Sequence, residues 1–254
     1  MSWWHALLIL LAGVWAGTIN AVVGSGTLVT FPTLVALGYP PVTATTSNAI
    51  GLAPGTISGA IGYRHELAGQ GRRLVRYSVP SLFGALGGTA LLLSLPPNAF
   101  EAVVPVLVGI AVVLVIVQPR VAVWVARRRE RHPDAPAHGG PLLMALIFLI
   151  GVYGGYFTAA QGVMMMAVMG MLLTDSLQRL NGIKNVLAAV VNVVAGTVYA
   201  FVAPVSWPVV GLLAVGSTVG GQLGARIGRR LPPAALRVVI VVVGLAAIVQ
   251  LVLR

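Results

Sequence analysis

Apolar residues fall into eight long blocks separated by short polar punctuation: His5 to Gly38, Val42 to Tyr63, Val75 to Leu95, Phe100 to Val117, Leu142 to Leu173, Ser176 to Val202, Pro208 to Ala225 and Ala234 to Leu253. Several exceed the roughly 20 residues needed to cross a hydrocarbon core. Membrane β-strands would show about ten-residue segments alternating apolar and polar, whereas Ala235 to Leu253 is apolar on every face. The pattern therefore predicts an all-α polytopic membrane protein. Two blocks are too long for one simple span. As a single helix, His5 to Gly38 would stretch about 50 Å against a core of roughly 30 Å. Each long block carries an interruption near its middle, Gly24-Ser25-Gly26-Thr27 in one and Thr158-Ala159-Ala160-Gln161-Gly162 in the other. Each is expected to be a broken, re-entrant pair of helical pieces that leaves and returns on one face, with six ordinary spans besides.

Charge orients these elements. Arginines cluster at Arg64, Arg72, Arg73 and Arg76, at Arg120, Arg127, Arg128, Arg129 and Arg131, and at Arg226, Arg229, Arg230 and Arg237. If both long blocks return to their starting face, all three clusters and Arg179 share one side, which the positive-inside rule makes cytoplasmic. Both termini then face the periplasm, and the protein is expected in a bacterial inner membrane. Only 8% of residues are charged and 58% are hydrophobic, against roughly 25% charged in a soluble domain, so a soluble domain is excluded. The net charge of +11 sits in short clusters with no basic aromatic face, which argues against nucleic acid. The chain has no cysteine, which removes disulfides and thiolate metal sites. Met1 to His5 lacks the Lys/Arg of a signal peptide, so the first block is read as mature structure.

The halves resemble each other. Gly13-Val14-Trp15-Ala16-Gly17 matches Gly151-Val152-Tyr153-Gly154-Gly155, Gly24 matches Gly162, Asn48 matches Asn185, Gly87-Gly88 matches Gly220-Gly221, and Pro96-Pro97 matches Pro232-Pro233. Each half holds one broken pair and three crossings, an odd number, so the repeats are expected to be inverted, which in transporters places the substrate site near the midplane where interrupted helices meet. The organisation expected is a first repeat over 1–118, a cytoplasmic linker over 119–141 and a second repeat over 142–254.

Two stretches, GVWAGTINAVVGSGTLVTFPTLVALGYPPVTATTSNAIG and GVYGGYFTAAQGVMMMAVMGMLLTDSLQRLNGIKN, resemble the TauE/SafE sulfite exporter family of bacterial permeases. The resemblance covers essentially the whole chain: a Gly-rich tract (Gly24, Gly26), a proline after it (Pro32) and a polar cluster opening the next helix (Thr45 to Asn48). In the second half Gln161-Gly162 replaces the Gly-rich tract, and Lys184-Asn185 stands where Ser47-Asn48 stands in the first. The resemblance implies export of sulfite, sulfoacetate or a related organosulfonate.

Unpaired amides at a break are tolerable in lipid only where protein, water or ligand satisfies them. Gly24, Ser25, Gly26 and Thr27 are therefore expected to line a cavity, with Gln161 and Gly162 facing them from the second half. Helix pieces starting near Thr27 and near Val163 would offer free N–H groups and a partial positive charge to an anion. Asp175 and Gln178 suggest a capping box, so the sixth block starts near Ser176 and brings Lys184 and Asn185 about 12 to 14 Å deep. Thr46, Ser47 and Asn48 reach a similar depth from Pro40-Pro41. Asn20 and Thr158 precede the breaks at matched positions, and Asn192 lies two turns beyond Lys184. A cation at that depth is costly unless it is paired or faces a water-filled path; the alternative is that Lys184 snorkels to the cytoplasmic face. Met164 to Met166 reads as packing rather than a metal site. No carboxylate falls deep in a span, and no catalytic or cofactor arrangement is seen, so no enzyme activity, cofactor or metal is expected. The expected partners are a small anionic substrate and the lipid bilayer; a homo-oligomer is compatible with the pattern. An anion channel or importer, or a non-transporting scaffold subunit, are the competing readings.

Overall fold

A computed structural model describes residues 2–131, 139–227, 241–242 and 245. Regular structure among them is entirely helical: α1 (Trp3–Val22), α2 (Thr27–Ala36), α3 (Pro41–Gly62), α4 (Gly71–Ser94), α5 (Pro97–Arg131), α6 (Gly140–Phe157), α7 (Gln161–Leu172), α8 (Leu177–Val202) and α9 (Trp207–Ile227). Six of these, all but α2, α3 and α7, are long and apolar enough to cross a membrane. Helix α3 is as long at 22 residues, but it carries Thr45, Thr46, Ser47 and Asn48, all buried. The outer surface exposes Trp4, Val75, Phe83 and Leu149, apolar side chains that hydrocarbon solvates at no cost. The chain is a polytopic membrane protein. The eighth apolar block and the Arg229 to Arg237 end of the third basic cluster lie almost wholly outside the described residues.

Both long blocks break near their middles. Helix α1 stops at Val22 and α2 begins at Thr27; α6 stops at Phe157 and α7 begins at Gln161. The second pair returns to its starting face, as one contact demonstrates: Arg73, at the start of α4, is ion-paired with Asp175, between α7 and α8. Had α6 and α7 formed one crossing, these residues would lie on opposite sides of the bilayer. Asp175 also accepts from Arg179 at 3.4 Å. It is thus an ion-pair partner rather than the helix cap; Ser176 is the N-cap of α8, its Oγ accepting from the Arg179 amide, because the shorter side chain sits at the residue whose backbone is still extended.

Packing recurs in matched pairs. Helix α9 lies along α1, with Gly216 against Leu10 and Val14, and Gly220 against Val14 and Thr18. Helix α4 lies along α6, with Gly84 against Phe148 and Val152, and Gly88 against Val152 and Tyr156. Residue numbers rise together in both pairs, so each pair runs parallel. A β-carbon at Gly88 would collide with the Val152 carbonyl, and one at Gly220 with the Val14 carbonyl. Missing side chains are therefore what lets the backbones touch. The broken pair of each half thus packs on a helix from the other half.

Each short helix has its own apolar surroundings. Leu28, Phe31 and Leu34 of α2 share a cluster with Phe100, Val104 and Val108 of α5; Met165 and Met169 of α7 share another with Ile147, Leu180, Ile183 and Leu187. Helix α5 runs past the expected block end at Val117 to Arg131. Pro119 deletes one hydrogen bond without ending the helix, since the Ala- and Arg-rich turns beyond it favour helix.

Candidate functional site

The two breaks meet tip to tip. The Gly162 amide donates to Gly24 O at 3.0 Å, and a β-carbon on Gly24 would lie 2.5 Å from the Gly162 Cα. The Thr27 hydroxyl donates to Thr158 Oγ1 at 3.3 Å across the junction. On the first side Gly24 turns the chain with φ 89°, and Asn20 Oδ1 accepts from the Gly26 amide at 2.7 Å. On the second side Thr158 and Ala160 have φ 49° and 56°, a region that costs side-chain-bearing residues roughly 1–2 kcal/mol each. The first-turn amides of α7 are not free donors in this conformation. Gln161 donates to Thr158 O, Gly162 to Gly24 O, and Val163 and Met164 to Ala160 O. What this helix start offers a ligand is its partial positive charge and the side chain of Gln161.

Lys184 supplies the full charge. Its side chain is completely buried, so it does not snorkel. The ammonium donates to Asn20 O at 2.7 Å and to Ala21 O at 3.3 Å; Asn181 and Asn185 donate to Ala21 O as well, at 3.0 and 3.3 Å. These are carbonyls of the last turn of α1, left without intrahelical partners by the break and carrying the negative end of the helix dipole. An ammonium there completes a helix end that lipid could not. An ammonium has three donors, so two bonds leave one for a ligand.

Beside Lys184 lies a cavity of about 10 Å³, room for about one water molecule. Asn20, Gly24 and Thr27 line it from the first break, Thr158, Gln161 and Gly162 from the second, Thr56 from α3, and Lys184, Ala188 and Asn192 from α8. Two buried polar atoms in this lining have no hydrogen-bond partner: Gln161 Nε2 and Asn192 Oδ1.

The model of the sulfite exporter TauE/SafE family matches residues 9–251. The chain belongs to that family. Relatives of this TauE/SafE protein include the probable membrane transporter protein YfcA of Escherichia coli K12, 22% identical over 84% of this chain and 76% of its own length. Others are a probable membrane transporter protein of Haemophilus influenzae, 24% identical over 85% of this chain and 82% of its own length, and ORF9 of a Sinorhizobium species, 24% identical over 93% and 88%. The protein is a membrane transporter of the TauE/SafE family.

The structure brings Asn20, Gly24, Thr27, Thr158, Gln161, Gly162, Lys184 and Asn192 to one cavity. Six other sequence-derived candidates stand outside its lining. Asn48 sits behind Thr27, accepting from the Thr30 hydroxyl and donating to Thr27 Oγ1 at 3.2 Å. Asn185 and Gly26 serve the helix ends already described, and Ser25 is buried with its hydroxyl unpartnered. Thr46 and Ser47 turn away to the α8–α9 connection, where Thr46 donates to Pro204 O at 2.6 Å and Ser47 accepts from the Ser206 amide at 2.9 Å. Thr56 and Ala188 were missed. Thr56 lies two helical turns after Asn48, and Ala188 one turn after Lys184, so a helical stripe drawn through the polar positions would have found both.

Proposed function

We propose that this transporter moves a small, singly charged sulfur oxyanion out of the cell through the cavity between the two helix breaks. One observation carries the reading: the only lysine of the chain is completely buried and lines that cavity, with no carboxylate among its described lining residues. Around it the unpartnered atoms are complementary. Gln161 Nε2 and the third ammonium hydrogen are donors suited to oxyanion oxygens, whereas Asn192 Oδ1 is an acceptor that a fully deprotonated anion could not satisfy. A hydrogensulfite-like ion, with one proton and one charge, would use all three. The cavity is smaller than such an ion, so the conformation is closed and loading requires the breaks to separate. A closed cavity also favours a carrier with moving parts over an open channel.

The rest of the arrangement follows from the same reading. The parallel α1–α9 and α4–α6 pairs, with their matched glycines, support two inverted repeats over 1–118 and 142–254 joined by the linker 119–141. The Arg-rich face is cytoplasmic, the membrane is the bacterial inner membrane and both termini are periplasmic. An inside-negative potential of 100 mV would supply about 2.3 kcal/mol for each exported charge.

Proteoliposome flux with sulfite, sulfoacetate, sulfate and chloride tests the substrate. Lys184→Met is expected to weaken apparent affinity at least about tenfold, or about 1.4 kcal/mol, while Lys184→Arg recovers part of it. A Lys184→Met protein that folds and transports with unchanged affinity would leave the ammonium with a purely structural part at α1. Orientation has its own test in this cysteine-free background: Ser2→Cys and Ser206→Cys should react with an impermeant thiol reagent in intact spheroplasts, and Arg72→Cys only after lysis. The reverse pattern would turn the molecule over in the membrane.

A further inference from the structure

Helices α5, α6 and α7 enclose a cleft of about 410 Å³, far larger than the cavity at Lys184 and separate from it. Leu114 and Val117 of α5 form one wall, Leu149 of α6 the other, and Met166 of α7 the floor. Leu149 is 58% exposed, so the cleft opens sideways toward hydrocarbon. The cleft is lined almost wholly by apolar side chains, and the two unpartnered polar atoms beside it, Gln118 Oε1 and the Tyr153 hydroxyl, are shielded from it by the protein. An acyl chain suits such a lining, and the occupant carries a polar end as well because the same helix turns basic just beyond the cleft. Its charge is indicated by the next turns of α5, where a second hollow of about 370 Å³ is lined by Pro119, Arg120, Val123, Trp124 and Arg127. Arg120 and Arg127 are exposed there, and no acid is among its described lining residues.

We propose that this cleft is a binding site for one anionic glycerophospholipid. An acyl chain lies along α7 between α5 and α6, and the phosphate rests on Arg120 and Arg127. Guanidinium groups suit phosphate by geometry as well as charge, and basic residues beside a span attract anionic lipids. The lipid would thus back α7, the shorter piece of the second broken pair.

The test uses the full chain in detergent with phosphatidylglycerol or phosphatidylcholine of identical chains, read by native mass spectrometry. The wild type should retain one phosphatidylglycerol at concentrations where phosphatidylcholine is lost. Arg120→Gln with Arg127→Gln should weaken phosphatidylglycerol binding at least tenfold and remove most of its margin over phosphatidylcholine. Ala167→Trp, which fills the floor of the cleft, should remove the bound lipid while elution and helix content stay normal. Phosphatidylglycerol carrying a photoactivatable group in its chain should label peptides of α5, α6 and α7 saturably. Equal retention of the two lipids, or labels spread over the outer faces of α1, α4 and α9, would overturn the site.

Discussion

At the first break the chain turns through Gly24, for which φ 89° is unstrained, and the Asn20 side chain closes the turn onto the Gly26 amide. At the second it turns through Thr158 and Ala160, both held at positive φ, where a β-carbon crowds the backbone. The helices that follow differ in the same sense. All but two residues of α2 are buried, Phe31 meeting Phe157 edge to face, whereas Met164, Met166, Ala167 and Val168 of α7 are only partly buried and line an open cleft. The first break is relaxed and packed on every side; the second stores strain and has space behind it. Stored strain lowers the cost of leaving a conformation, so of the two tips at Gly24 and Gly162 the second is the one expected to move when the cavity opens.

Substitutions at matched places should expose this asymmetry. The largest effect is expected from Gly24→Val, which puts a branched side chain at positive φ and into Gly162. It combines backbone strain with overpacking, on the order of 3 kcal/mol, and should abolish flux and lower the unfolding midpoint in detergent steeply. A Gly24→Val protein of normal stability would mean the tips do not touch. Asn20→Ala comes next, removing a cap from the Gly26 amide at a cost of about 1–2 kcal/mol, with flux falling in proportion to folded protein; Thr158, its matched residue, caps no amide, so Thr158→Ala should cost less. The smallest effect has the opposite sign. Ala160→Gly relieves positive-φ strain and should stabilise by about 0.5–1 kcal/mol after the flexibility glycine adds to the unfolded chain. Because it removes the bias toward opening, transport should slow as the midpoint rises. An Ala160→Gly protein that is less stable than wild type would show that the second break is not strained.

Positions along the chain were legible in the sequence because depth in a membrane is counted in residues. The breaks, the start of α2 at Thr27 and the burial of Lys184 all follow from block length and interruption. Rotation about a helix axis is not legible in the same way. Each residue turns the side chain by about 100°, so Thr46 and Ser47 point to the α8–α9 connection, and only Asn48 turns toward the breaks. The second hidden quantity was competition for donors. A helix start at Gln161 implies free amides, but Gly24 O, Thr158 O and Ala160 O occupy them once the two tips touch. Equally, a lone buried lysine implies an anion, while the carbonyls of α1 that it also serves appear only when α1 and α8 are seen side by side.

The exchange of partners between the halves also sets a timetable for assembly. The Thr18 hydroxyl bonds to Gly220 O, 202 residues further along, whereas α6 is synthesised only some sixty residues after the α4 face it covers. At about 5–20 residues per second, α1 must wait roughly 10–40 s in the bilayer before α9 exists to receive it. Through that interval the glycine-lined face of α1 has only lipid or a chaperone against it, and a chain truncated before Trp207 would carry it bare into quality control.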